Sequence, residues 1–137
     1  MKRIITFGTF DLFHVGHLKI LERAKKMGDY LIVGVSSDEL NWNKKKKLPI
    51  FSCDERLKIL RSLKCVDEVF VEEVIDKEDY CKKYQADIFV IGDDWKGKPC
   101  GKNGKTFDEQ LEGICNVHYL PRTPSISTTE IIEKIRN

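Results

Sequence analysis

The sequence lacks any apolar run near the roughly 18 residues that a membrane-crossing helix needs, so no membrane insertion is expected. Its five cysteines, Cys53, Cys65, Cys81, Cys100 and Cys115, contain no CxxC pair and are odd in number. A disulfide framework or a structural zinc site is therefore not expected. The opening stretch MKRIITFGTFD has no long apolar segment of the secretory kind, which makes a reducing cytoplasm the expected setting. Excess charge of one sign is also missing. Lys and Arg number 24 against 22 Asp and Glu, a net +2, which does not favour a general nucleic-acid binder. No internal repeat is present.

What the sequence does have is material for one packed unit. Its 137 residues are 41% hydrophobic and 34% charged, which argues against disorder and for a single domain over residues 1–137. Strand-length apolar runs at Ile4–Phe7, Tyr30–Val35, Val66–Val71, Asp87–Gly92 and Val117–Leu120 alternate with helical patterns at His17–Met27, Asp54–Leu63, Lys77–Tyr84 and a C-terminal segment ending near Ile135. Ser52 with Glu55, and Ser127 with Glu130, have capping-box spacing. Strands without polar alternation, separated by helices, predict an α/β fold: a Rossmann-like five-stranded parallel sheet with helices on both faces. Ligands of such folds lie beyond the C-terminal ends of the strands, near a switch in strand order. Asn41–Pro49 and the glycine-containing stretch Lys96–Lys105 read as loops, the second as a mobile one.

Two segments carry chemistry. The first, GTFDLFHVGH, leaves a strand at Gly8 and enters a helix near Gly16, with His14 and His17 three residues apart on one face. A helix start offers free N–H groups to phosphate, Gly16 leaves room for close approach, and two imidazoles add donors. A metal pair or ordinary half-buried histidines would use the same residues. The second segment, RTPSISTTEII, gathers Ser127, Thr128 and Thr129 at a helix start behind Arg122, whose guanidinium suits phosphate. A plain helix cap with a surface arginine is the bland alternative.

Together these strings resemble the two signatures of the cytidylyltransferase branch of the HxGH nucleotidyltransferases. The resemblance spans nearly the whole chain and is nearest to bacterial glycerol-3-phosphate cytidylyltransferases. It implies transfer of a cytidylyl group from CTP to glycerol 3-phosphate, with release of pyrophosphate. Another phosphorylated alcohol, such as phosphoethanolamine or phosphocholine, and an adenylyltransferase activity are the alternatives. It implies a catalytic set of His14, His17, Lys44, Lys46 and Arg122. The implied CTP site is Gly8, Thr9, Phe10, Asp11, Gly16, Gly92, Asp93, Asp94, Trp95, Arg122, Thr123, Ile126, Ser127, Thr128 and Thr129. The implied acceptor site is Asp38, Lys44, Arg56 and Lys64. Mg²⁺ is expected to ride on the triphosphate rather than on a protein metal site. Teichoic acid or capsule synthesis and a homodimer through the Val66–Val71 region are further implications. Ser125 stands where one form of the second signature has glycine. Lys64 and Cys65 replace arginine and tyrosine of the dimer-contact string, a tryptophan is missing after it, and the Lys96–Lys105 loop is longer than in compact bacterial enzymes. A phosphate acceptor, already dianionic near neutral pH, needs no general base.

Overall fold

The computed structural model of the chain describes residues 1–100, 104–121 and 128–136. The apolar runs form strands β1 (Arg3–Gly8), β2 (Tyr30–Ser36), β3 (Glu68–Glu72), β4 (Ile88–Gly92) and β5 (Asn116–Leu120). They make one five-stranded sheet in the order β3-β2-β1-β4-β5, and every pairing is parallel. Between and after them run α1 (Val15–Lys25), α2 (Asp38–Lys45), α3 (Cys53–Arg61), α4 (Glu78–Lys83), α5 (Phe107–Gln110) and α6 (Thr128–Arg136).

Successive strand residues point to opposite faces, so the apolar runs feed two cores. Ile4, Leu31, Val33 and Val90 pack with Leu21 and Ala24 of α1 and with Leu57 and Leu60 of α3. On the other face Ile5, Ile32 and Phe89 pack with Cys81 of α4 and Phe107 of α5. The expected Rossmann-like sheet, covered on both faces, is the fold that forms. No helix among the described residues is long and apolar enough to cross a membrane.

The order places the switch between β1 and β4. Chain leaving β1 and chain leaving β4 thus diverge from neighbouring strand ends and open a crevice between them. The first carries Gly8–His17. The second carries Gly92 and a 3₁₀ turn at Asp93–Trp95.

Three local differences from the sequence reading have physical causes. The segment read as a loop from Asn41 is helical as far as Lys45. Helix α2 shows no apolar period, but Ser37 Oγ accepts the Leu40 N–H at 3.0 Å, and Asp38 and Glu39 sit in its first turn. Strand β3 starts later than Val66, because the Val66 N–H is taken by the Leu63 carbonyl. The ends of the Lys96–Lys105 loop are tied by an antiparallel bridge between Cys100 and Lys105, and a Thr106–Glu109 capping box then starts α5.

Gly34 marks the tightest packing in the sheet. A Cβ there would stand 2.6 Å from both the Phe7 and Phe70 rings, which meet edge to face at 5.7 Å. Gly34→Ala is expected to cost about 1–3 kcal/mol by overpacking, read as a fall in the urea midpoint. An unchanged midpoint would show that the two rings yield freely.

Candidate active site

The β1–α1 connection builds the centre of the site. His14 caps α1: its Nδ1 accepts the Gly16 N–H at 3.0 Å. His17, three residues on, accepts the His14 N–H on its own Nδ1 at 3.2 Å, which completes a reciprocal capping box. A nitrogen that accepts an N–H carries no proton, so the hydrogen-bond pattern assigns the proton of each neutral ring to Nε2. Each histidine therefore retains one directed donor. The rings stack with centroids 4.0 Å apart, and Phe10 and Phe13 enclose His17 at 5.5 and 5.3 Å. Burial lowers the pKa of His14. His17 is pushed down to about 4, by burial first and by His14 next, against the pull of Asp11. Both rings are neutral at pH 7.

The other residues of this connection are framework. The Asp11 carboxylate accepts the N–H groups of Ile50 at 2.7 Å and Phe51 at 2.8 Å, which draws the segment after α2 against the end of β1. Thr9 Oγ1 accepts from Ser36 Oγ at 3.1 Å and donates to Asn41 Oδ1 at 3.1 Å. Gly8 is needed because a Cβ there would meet the Phe10 ring at 2.8 Å. Phe10 and Leu12 take positive φ angles of 55° and 47°, a conformation that non-glycine residues adopt only under constraint.

Lys44 and Lys46 lie at the end of α2 and just past it, in the chain that leaves the C-terminal end of β2. Lys44 is exposed, yet its pKa is lowered, by burial of its ammonium first and by Lys77 and Lys45 as well, against Glu72. Lys46 ends the helix in the left-handed conformation. After β4, Asp93 and Asp94 are exposed and Trp95 is half exposed, its ring 5.8 Å from Phe107. Gly92 leaves room for the Asp94 carboxylate, which a Cβ would meet at 2.7 Å. Arg122, Thr123, Ile126 and Ser127 lie outside the described residues. Thr128 and Thr129 open α6.

Three residues of the expected acceptor set, Arg56, Asp38 and Lys64, are placed by the structure as parts of the framework or away from the crevice. Arg56 is fully buried. Its guanidinium donates to the carbonyls of Phe51 at 3.1 Å, Thr9 at 2.9 Å and Ser36 at 2.8 Å, and to Asp38 Oδ1 at 2.7 Å. It lies beneath the site and positions it. Asp38 stands at the rim, but its second oxygen accepts the Cys53 N–H at 3.2 Å, so it serves the same clasp. Lys64 sits between α3 and β3, before the strand begins. In a parallel sheet that connection is at the opposite rim, so Lys64 does not line this chain's crevice.

Sequence reasoning missed Asn41 and Lys77. Asn41 is buried, with its amide donating to Ser36 Oγ at 2.8 Å and the Ser37 carbonyl at 2.9 Å. Nothing in its neighbours marks it. Lys77 is buried beside the strand ends, paired with Glu72 and over the Phe7 ring. A lysine opening a short helix after an edge strand looks like surface until the packing is seen.

Residues 5–134 match a family model described as Cytidylyltransferase-like. The chain is 52% identical over 132 residues to a glycerol-3-phosphate cytidylyltransferase of Bacillus spizizenii, covering 96% of this chain and 95% of that one. It is 48% identical over 136 residues to a glycerol-3-phosphate cytidylyltransferase of Bacillus subtilis, covering 98% of each. Among solved structures, a lipopolysaccharide core biosynthesis protein of Thermoplasma volcanium is similar with a TM-score of 0.73 and 28% identity, covering 92% of this chain and 99% of that chain.

Two predictions follow from this geometry. Arg56→Ala removes the charge that faces Asp38 and takes a donor away from the Phe51, Thr9 and Ser36 carbonyls, so it is expected to cost about 3 kcal/mol in urea unfolding. It should raise KM for both substrates of the reaction; wild-type stability with only the acceptor KM raised would return Arg56 to the role of acceptor ligand. His17 has a folded-state pKa near 4, below the roughly 6.5 of an unfolded histidine. Its contribution to stability is thus present above about pH 6.5 and is lost as pH falls toward 4. His17→Asn should show a smaller loss over that interval by thermal unfolding, and an equal loss would contradict the assigned shift.

Proposed function

The chain belongs to the cytidylyltransferase-like family, and from that premise we propose that it transfers a cytidylyl group from CTP to glycerol 3-phosphate, giving CDP-glycerol and pyrophosphate. The observation that carries the reading is the pair of neutral histidines at the switch point, each with its Nδ1 held by a backbone N–H and its Nε2–H left as a donor. The names of the two Bacillus relatives support the acceptor.

The chemistry asks little of the protein beyond charge and alignment. The acceptor phosphate has a second pKa near 6, so at neutral pH it is already a nucleophile. Its oxygen attacks the α-phosphorus of CTP. The bond to the oxygen shared with the β-phosphorus breaks, and pyrophosphate departs. His14 and His17 donate to phosphate oxygens on which charge accumulates as that bond lengthens. Their low pKa keeps them in the tautomer the capping box fixes. Lys44, Lys46 and Arg122 neutralise the triphosphate, with the helix start at Ser127–Thr129. Gly8–Asp11, Gly16, Thr123 and Ile126 line the nucleotide, and Gly92–Trp95 hold the cytidine. For the acceptor, Lys44 is the remaining cation of the expected set on the correct rim.

Among the described residues, no group of three or more His, Cys, Asp or Glu is placed to hold a metal. The nearest acid, Asp11, has both oxygens engaged by backbone N–H groups. The donors of the crevice therefore fit Mg²⁺ that arrives on the triphosphate, where it would add charge neutralisation. Strand β3 is an outer strand of the sheet. A homodimer through Val66–Val71 would cover it, and a monomer at micromolar concentration in sedimentation would exclude that assembly. We place the reaction in the cytoplasm, supplying an activated polyol to teichoic acid or capsule synthesis.

The test is pyrophosphate release with CTP and glycerol 3-phosphate, set beside ATP and beside phosphocholine and phosphoethanolamine. The highest kcat/KM is expected for CTP with glycerol 3-phosphate; a preference for phosphocholine would sink the acceptor assignment and leave the family chemistry standing. His14→Ala and His17→Ala should each lower kcat by roughly 10²–10³-fold, as expected for one preorganised donor. Near-normal kcat in both would remove them from catalysis.

A further inference from the structure

Three side chains join the ends of β1 and β2 in a closed hydrogen-bond ring. Ser36 is the last residue of β2, Thr9 the first after β1, and Asn41 stands in α2. Ser36 and Asn41 are each only 1% exposed. The direction of every bond in the ring is forced. The Ser37 carbonyl can only accept, so the Asn41 atom 2.9 Å from it is the amide nitrogen. The second proton of that nitrogen goes to Ser36 Oγ at 2.8 Å. Ser36 then gives its one proton to Thr9 Oγ1 at 3.1 Å, and Thr9 gives its own to Asn41 Oδ1 at 3.1 Å. Bonds aligned head to tail in this way polarise one another, and a buried group that loses its partner is left at a cost.

We propose that Asn41 is a positioning residue for cytidylyl transfer, acting through the ring it closes with Ser36 and Thr9 and through the helix turn that leads to Lys44. The role rests on the chain acting as the cytidylyltransferase described above, and it adds a residue that the expected site does not contain. Through the ring, Asn41 holds the Thr9 side chain, which is partly exposed in the connection that lines the nucleotide. Through the Ser37 carbonyl, which takes both its backbone N–H at 3.1 Å and its amide, Asn41 ties the head of α2 to the end of β2. Lys44 lies three residues further along the same helix, nearly one turn.

The ring and the Arg56 clasp divide the work. The guanidinium takes the Thr9 and Ser36 carbonyls, and so fixes where the two chains run. The ring fixes how their side chains are turned. Breaking it should therefore show in turnover and not only in stability.

The test compares the full wild-type chain with Asn41→Asp, Asn41→Ala and Thr9→Val by pyrophosphate release, with thermal unfolding of each beside it. In Asn41→Asp one oxygen can still accept from Thr9, but an ionised carboxylate has no proton for Ser36 Oγ or for the Ser37 carbonyl. Burial raises the pKa of such a carboxyl, and once protonated it donates again. Its kcat relative to wild type should be down roughly 10–10²-fold near about pH 8, the effect of a misplacement of about 1 Å, and should recover toward about pH 6. Taking the ratio removes the titration of the acceptor phosphate, which both proteins share. Asn41→Ala should be low at both pH values. Thr9→Val takes only a hydroxyl from the ring and serves even where an Asn41 variant does not fold. It should lower kcat too, and Asn41→Ala added to it should cost less than in the wild-type chain. The role is excluded if folded Asn41→Asp and Thr9→Val keep wild-type kcat, if the Asn41→Asp ratio is the same at both pH values, or if Asn41→Ala lowers Tm and leaves kcat unchanged. A wild-type chain that releases no pyrophosphate from CTP with any acceptor would instead overturn the cytidylyltransferase reading, and the role of Asn41 with it.

Discussion

The Arg56 guanidinium is the point to which the crevice is fastened. A cation in the protein interior is tolerable only when its donors are matched, and here they are matched by pieces that must otherwise be brought together. One nitrogen takes the Thr9 carbonyl after β1 and the Ser36 carbonyl at the end of β2. The others take Phe51 ahead of α3 and Asp38 at the head of α2. Asp11 closes the clasp from the other side by accepting from Ile50 and Phe51. Lys44 and Lys46 are thereby delivered to the rim without touching the clasp. Removing the charge would loosen two strand ends and two helix starts at once.

The histidine pair shows how little side-chain machinery phosphate chemistry demands. A helix start ordinarily recruits Ser, Thr, Asp or Asn as its cap. Using histidine at both the cap and the third position satisfies the same backbone N–H groups and leaves a donor on each ring pointing away. The local requirement of the helix and the requirement of the reaction are met by one hydrogen-bond pattern. The aromatic rings around His17 strengthen this by keeping it neutral, so that its orientation does not change across the physiological pH range.

The strands, the sheet and the strand-to-helix turn of the first signature segment were legible in the sequence because each rests on local pattern: an apolar run, a glycine at a turn. The failures were of depth and of direction. Nothing adjacent to Arg56 says whether its side chain rises into the crevice or turns beneath it, and a basic residue near phosphate chemistry invites the first reading. Lys64 falls ahead of β3, and a residue that precedes a parallel strand belongs to the rim away from that chain's own ligands. Helix α2 was hidden because it has no apolar stripe and depends on Ser37 and its end charges. Lys77 escaped because its burial depends on Glu72 and Phe7, contacts that only the assembled sheet makes.

Phe10 and Leu12 bear on how this protein could be engineered. Positive φ at non-glycine residues stores of order 1–3 kcal/mol each, and these two flank the residue that clasps the next segment. A stability screen would be drawn to them, because glycine relieves such strain. At position 10 that gain would remove the ring that packs edge-on against His17 at 5.5 Å and helps keep it neutral. At position 12 no such ring contact with the histidines is lost. Thermostabilising libraries should therefore separate the two sites, with turnover surviving the change at one and declining at the other.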